Sequence, residues 1–208
     1  YGVLDTSYQA ITDASEKFSV LYPKESNKIG EKTLKYLPQC YNSIKEIFGK
    51  DQDINKFSIF FYYPEKTGES VFAKSDSIVV PIYDDMLDRI DQENTDQPCG
   101  TNLFPMGHEM THVFDFETQN TPLLREGFAN YISRRVNTFD TELICGENGY
   151  TRNNNDLIPY DIENDVYNTG ECYFKRLEQN YGISEVNKLI QYLGFTRNKE
   201  TNGDINFF

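Results

Sequence analysis

A chain of 208 residues, 38% hydrophobic and 25% charged, has the composition of a folded protein and the length for one domain with a core. Its 33 acidic against 20 basic side chains leave a net charge of −13, a field that repels phosphate backbones and anionic lipid, so neither nucleic acid nor a membrane is expected as a partner. No apolar run approaches the roughly 20 residues that a bilayer crossing needs.

The chain opens YGVLDTSYQA, with neither an initiator Met nor the basic and apolar regions of a secretory signal, and reads as a processed start. Residues 7–19 carry weak helical periodicity. A stronger one runs over 27–48, with Ile29, Leu34, Leu37, Tyr41, Ile44 and Phe48 near one face, Pro38 interrupting or kinking it and Gly49 stopping it. FSIFFYY, 57–63, is β-branched and aromatic and predicts a strand. VFAKSDSIVVPIY, 71–83, predicts a hairpin or two short strands; Pro81 lacks a ladder donor, which puts the second strand at a sheet edge. Residues 84–102 hold six acids and one Arg in a spacing that fits no EF-hand, so a solvated acidic loop is expected.

From Phe104 the pattern turns helical, with helices expected over 104–117, 122–137, 165–181 and 184–194, Pro122 standing in a first turn behind Thr121. Residues 139–164, rich in Asn, Gly and Asp, are expected as a long polar loop. This order predicts one α+β domain over 1–208: a small, mostly antiparallel sheet with helices within about 1–103, then a mainly helical half over about 104–208. Cys40, Cys99, Cys145 and Cys172 form no CxxC pair. An even count favours disulfides in an extracellular protein over four reduced, packed thiols; of three connectivities, Cys40–Cys99 with Cys145–Cys172 is the one expected.

The only two histidines stand in FPMGHEMTHVFDFE, His108 and His112, with Glu109 after the first. Residues four apart on a helix project to one side, so both imidazoles can reach one ion, and Glu109 falls beside it where water would bind. Two randomly placed histidines would stand four apart about one time in a hundred, which weighs against two unrelated core histidines. Catalytic zinc takes three protein ligands and leaves a fourth position for water. With no third histidine, carboxylate or cysteine must complete the set, which excludes the metzincin pattern. Asp115 and Glu117 lie on the same predicted helix; Glu126, at the start of the next, can fold back against the histidines if the two helices run antiparallel. Asn130, one turn on, would share its face and support a ligand.

HEMTH followed by LLREGFANYIS resembles the gluzincins, the thermolysin-like and aminopeptidase-like zinc peptidases, over residues 104–135. The resemblance implies a zincin-like fold with the active-site helix at a cleft, Zn2+ held by His108, His112 and Glu126, and Glu109 as general base. YNTGECYFKRLEQNYG is similar to the family's Tyr-x-x-Gly helix start and nominates Tyr167 to stabilise the oxyanion; the strand near 77–83 would align an extended substrate. Two features depart from the pattern: nothing matches the aminopeptidase signature for a free N-terminus, which favours endopeptidase action, and Asn130 replaces the thermolysin Asp that supports the histidines. The expectation is a monomeric endopeptidase acting on a peptide or protein substrate. The competing reading is a zinc-binding protein without turnover that recognises a partner through the same constellation.

Overall fold

The computed structural model describes residues 7–49, 54–66, 68–74, 76–83, 99–100, 106–114, 121–137, 142–152 and 156–190. The acidic stretch 84–98 and the outer ends of the helices expected over 104–117 and 184–194 lie outside the described residues. Two compact units divide the chain, Tyr1–Ser43 with Ile54–Val113, and Ile44–Asp53 with Phe114–Phe208.

The first unit is built on a five-stranded sheet of β1 (Tyr8–Thr12), β2 (Phe18–Pro23), β3 (Phe57–Tyr62), β4 (Phe72–Lys74) and β5 (Ser77–Pro81) in the order β1-β2-β3-β5-β4. Its centre is parallel, β2 with β3 and β3 with β5, while β1 and β4 add antiparallel edges. The sheet is therefore mixed rather than mostly antiparallel. Parallel neighbours need a crossover, and between β2 and β3 the helix α1 (Asn27–Phe48) supplies it.

Residues expected as a weak helix over 7–19 instead form the β1–β2 hairpin. Its turn is held by the Asp13 carboxylate, which accepts from the backbone N–H of Phe18 at 2.9 Å and of Ser15 at 3.3 Å. Alternation puts Phe18, Val20 and Tyr22 of β2 on the buried face, beside Phe57, Ile59 and Phe61 of β3 and Ile78 and Val80 of β5. Against this face lies α1, whose Tyr41 ring meets Phe18 edge-on at 5.1 Å and Phe57 at 6.2 Å. The helix is unbroken through Pro38 and ends at Gly49, whose φ of 100° suits only glycine and whose N–H returns to the Lys45 carbonyl at 2.9 Å.

The strand carrying Pro81 is not at the edge; β4 is. Pairing with β4 stops at Val79, so the ladder bond that Pro81 cannot donate has no partner strand beside it, while Ile82 donates to the Tyr62 carbonyl at 2.7 Å on the β3 side. The histidine-bearing helix α2 (Met106–Phe114) follows, with Met106, Met110 and Val113 buried.

In the second unit, α3 (Pro122–Val136) packs on α4 (Val166–Tyr181), and residues 183–190 form α5. The α3–α4 contact is backbone on backbone: a Cβ on Gly127 would stand 2.2 Å from the Gly170 carbonyl carbon, and one on Gly170 would stand 2.1 Å from the Leu123 oxygen. An aromatic core surrounds it, with Phe48 against Phe128 at 5.8 Å and Phe174 against Phe128 at 5.0 Å. The stretch 139–164 is not simply a loop. It carries a three-stranded antiparallel sheet of β6 (Leu143–Cys145), β7 (Gly149–Arg152) and β8 (Ile158–Pro159), tied to α4 by the Cys145–Cys172 disulfide and by Lys175, whose Nζ donates to the Leu143 carbonyl at 2.8 Å.

Both disulfides pair as expected, Cys40 with Cys99 and Cys145 with Cys172, which is compatible with an extracellular protein. Among the described residues no helix is long and apolar enough to cross a membrane.

Candidate metal centre

The histidines reach their positions through an ordinary helical turn: α2 sets His108 and His112 four residues apart, and their rings meet edge-on with centroids 4.7 Å apart. The two Nε2 atoms face each other at 3.1 Å. Two nitrogens each about 2.0–2.1 Å from one tetrahedral ion would stand about 3.3 Å apart, so the pair already has the bite of a zinc site. A direct N–H···N bond between the rings fits the same distance, so the pair alone does not decide between ion and proton.

A third group does. Ligand atoms of His108, His112 and Glu126 all lie within 4.8 Å of one another. Two imidazoles and one carboxylate are the donor set of a catalytic zinc site, and these residues fit that ion. His108 and Glu126 are buried, 6% and 8% exposed, where a carboxylate and two imidazoles can hold a cation against little competition from water.

No family model matches the chain, and no curated protein matches it.

Glu109 sits beside His108 on α2, 7% exposed, one residue along from the first imidazole as the sequence requires. Tyr167, the second residue of α4, is 47% exposed. Asn130 is half-buried on α3, one turn beyond Glu126.

Three supporting features are not legible in the sequence. Arg125 donates from Nε to Glu126 Oε1 at 2.7 Å, which holds one carboxylate oxygen in place. The Gly127–Gly170 contact sets where the start of α3, and so Glu126, can lie against α4. Gly107, just before His108, donates its N–H to the Cys99 carbonyl at 2.8 Å, which ties the start of the histidine helix to a disulfide-bonded residue. The glycines were visible in REGFAN and YNTGE, but a sequence does not tell which glycines meet.

Elsewhere in the second unit, Glu171 is fully buried and paired with Arg134 and, at 3.8 Å, with Lys175. Burial pushes the Lys175 ammonium below the ordinary lysine value, against the pull of Glu171. This cluster fixes α3 to α4.

Proposed function

We propose that the protein is a zinc-dependent peptidase of gluzincin type, and an endopeptidase. The observation that carries this reading is the convergence of His108, His112 and Glu126, two nitrogens and a carboxylate, with Glu109 adjacent. When bound there, zinc supplies Lewis acidity that polarises a carbonyl and brings the pKa of water toward neutrality.

The chain's own residues then have distinct work. His108, His112 and Glu126 would hold the ion. Glu109 takes a proton from the attacking water as it adds to the peptide carbonyl, and passes that proton to the amine nitrogen as the C–N bond breaks. Tyr167 donates a hydrogen bond to the oxyanion that develops on the carbonyl oxygen, a role that rests on the resemblance of its helix start. The second disulfide and the buried Glu171 cluster anchor α4, on which Tyr167 stands.

Digestion of a proteome-derived peptide mixture by zinc-loaded protein, with Glu109→Gln as the blank, tests the reading. Glu109→Gln is expected to bind zinc as the parent does and to lose about 10²-fold or more of turnover. Equal cleavage by the two proteins would remove Glu109 from its role. No cleavage by a parent carrying one zinc would leave a binding protein rather than an enzyme.

A further inference from the structure

The disulfide between Cys40 and Cys99 lies in the same unit as the histidine pair, and both its cysteines are fully buried. Cys40 belongs to α1, one residue before the Tyr41 ring that packs on the sheet. Cys99 is thereby tied covalently to the helix that packs on the sheet. Its carbonyl accepts from the Gly107 N–H at 2.8 Å. The first four N–H groups of any helix have no partner within it, and here one of those groups in α2 is satisfied by the backbone of a disulfide-bonded residue. His108 is the next residue, and the Gly107 carbonyl in turn accepts from Thr111 Oγ1 at 2.7 Å, one residue before His112. A chain of covalent and hydrogen bonds therefore runs from α1 through Cys99 and Gly107 to the turn that sets the two imidazoles 3.1 Å apart.

We infer that the Cys40–Cys99 disulfide is a positioning device for the metal centre, so that zinc affinity and the oxidised state of this one disulfide are thermodynamically coupled. The inference rests on the zinc reading above. Partners that orient metal ligands are worth about 10–100-fold in metal affinity, and the coupling is expected at the lower end of that range, because Cys99 acts through the helix backbone and not on the imidazoles directly. Coupling is reciprocal: if the disulfide tightens zinc binding by some factor, bound zinc opposes reduction of the disulfide by the same factor. Reduction is the ordinary two-electron exchange, in which two glutathione thiols give one glutathione disulfide and the Cys40 and Cys99 thiols, and zinc enters only through its preference for the oxidised form.

This reciprocity allows the test to be run on the unaltered protein. The parent is equilibrated in glutathione redox buffers with and without zinc chloride, free thiols are alkylated, and the reduced fraction of each disulfide is read by peptide mass spectrometry. Zinc is expected to move the Cys40–Cys99 midpoint by about tenfold or more in the ratio of squared glutathione to glutathione disulfide, and to move the Cys145–Cys172 midpoint clearly less. An unmoved Cys40–Cys99 midpoint overturns the inference. So does an equal shift of both disulfides, which would mean that zinc stabilises the fold as a whole. Zinc titration of the parent beside His108→Ala separates the two layers: a parent that binds no zinc sinks the metal reading and this inference with it, whereas zinc binding that needs His108 with an unmoved midpoint sinks the inference alone.

Discussion

Glu126 is the residue on which the metal reading turns, because two histidines with an Nε2 separation of 3.1 Å could as well share a proton. Replacing Glu126 with Ala is expected to weaken zinc binding by about 10–100-fold or more, since an ordering partner alone is worth that much and a ligand is worth at least as much. Metal content after dialysis against a graded chelator reads this directly, and parent-like retention would return the third-ligand role to Asp115 or Glu117. Tyr131 offers a check on the second unit that involves no metal. Its phenol donates to Glu178 Oε2 at 2.7 Å, and burial first, then that bond, hold its pKa above the ordinary tyrosine value. The sign follows: a group whose folded pKa is raised contributes stability that is complete below the unfolded value, about 10, and is lost as pH rises from there through the folded value. Parent protein is expected to lose stability between pH 10 and 11 more steeply than Tyr131→Phe, in denaturant melts at each pH. Parallel curves would mean that Tyr131 ionises in the folded state as it does in the unfolded one.

Among the elements, the α3–α4 contact is the tightest constraint near the candidate site. A methyl on Gly127 has backbone, not a flexible side chain, in its way, so the two helices must part. Overpacking of this kind costs about 1–3 kcal/mol. Gly127→Ala is expected to lose that much in urea unfolding and also to weaken zinc binding, because Glu126 is its neighbour; a variant as stable as the parent would show that the helices stand further apart. What the sequence disclosed about these elements follows from their physics. Helix α1 was legible because 22 residues repeat one apolar face and end at a glycine. The metal pair was legible because it needs only helix geometry and two residue types. Strand β1 was not, since its five residues are mostly exposed and show no alternation to read. The strands of 139–164 run to two, three and four residues, too short for any period, and they depend on a disulfide and on Lys175 from elsewhere in the chain. Pro81 is an edge signal in the sequence, which does not say that the neighbouring strand stops short of it.

For the whole molecule the dominant electrostatic fact is a net charge of −13 and a sequence pI near 4.6. Charge of one sign favours solubility and opposes compaction. Lys188 with Glu185 is an exposed pair, a class worth about 0–1 kcal/mol, and the buried Glu171 pairs with Arg134 and Lys175 lie where mobile ions screen weakly. Added salt should therefore act mainly on the repulsion. The screening length falls from about 30 Å at 10 mM to about 8 Å at 150 mM, below the span of a protein of this size. At pH 7, in the presence of a chelator, the melting temperature is expected to rise over that range by about 2–4 °C for each kcal/mol of repulsion relieved. The same salt step near pH 4.6, where the net charge vanishes, is expected to change it little. A salt response of equal size at both pH values would mean that salt acts through preferential exclusion rather than charge, and that the 33 acids are spread so that their repulsion is already minor.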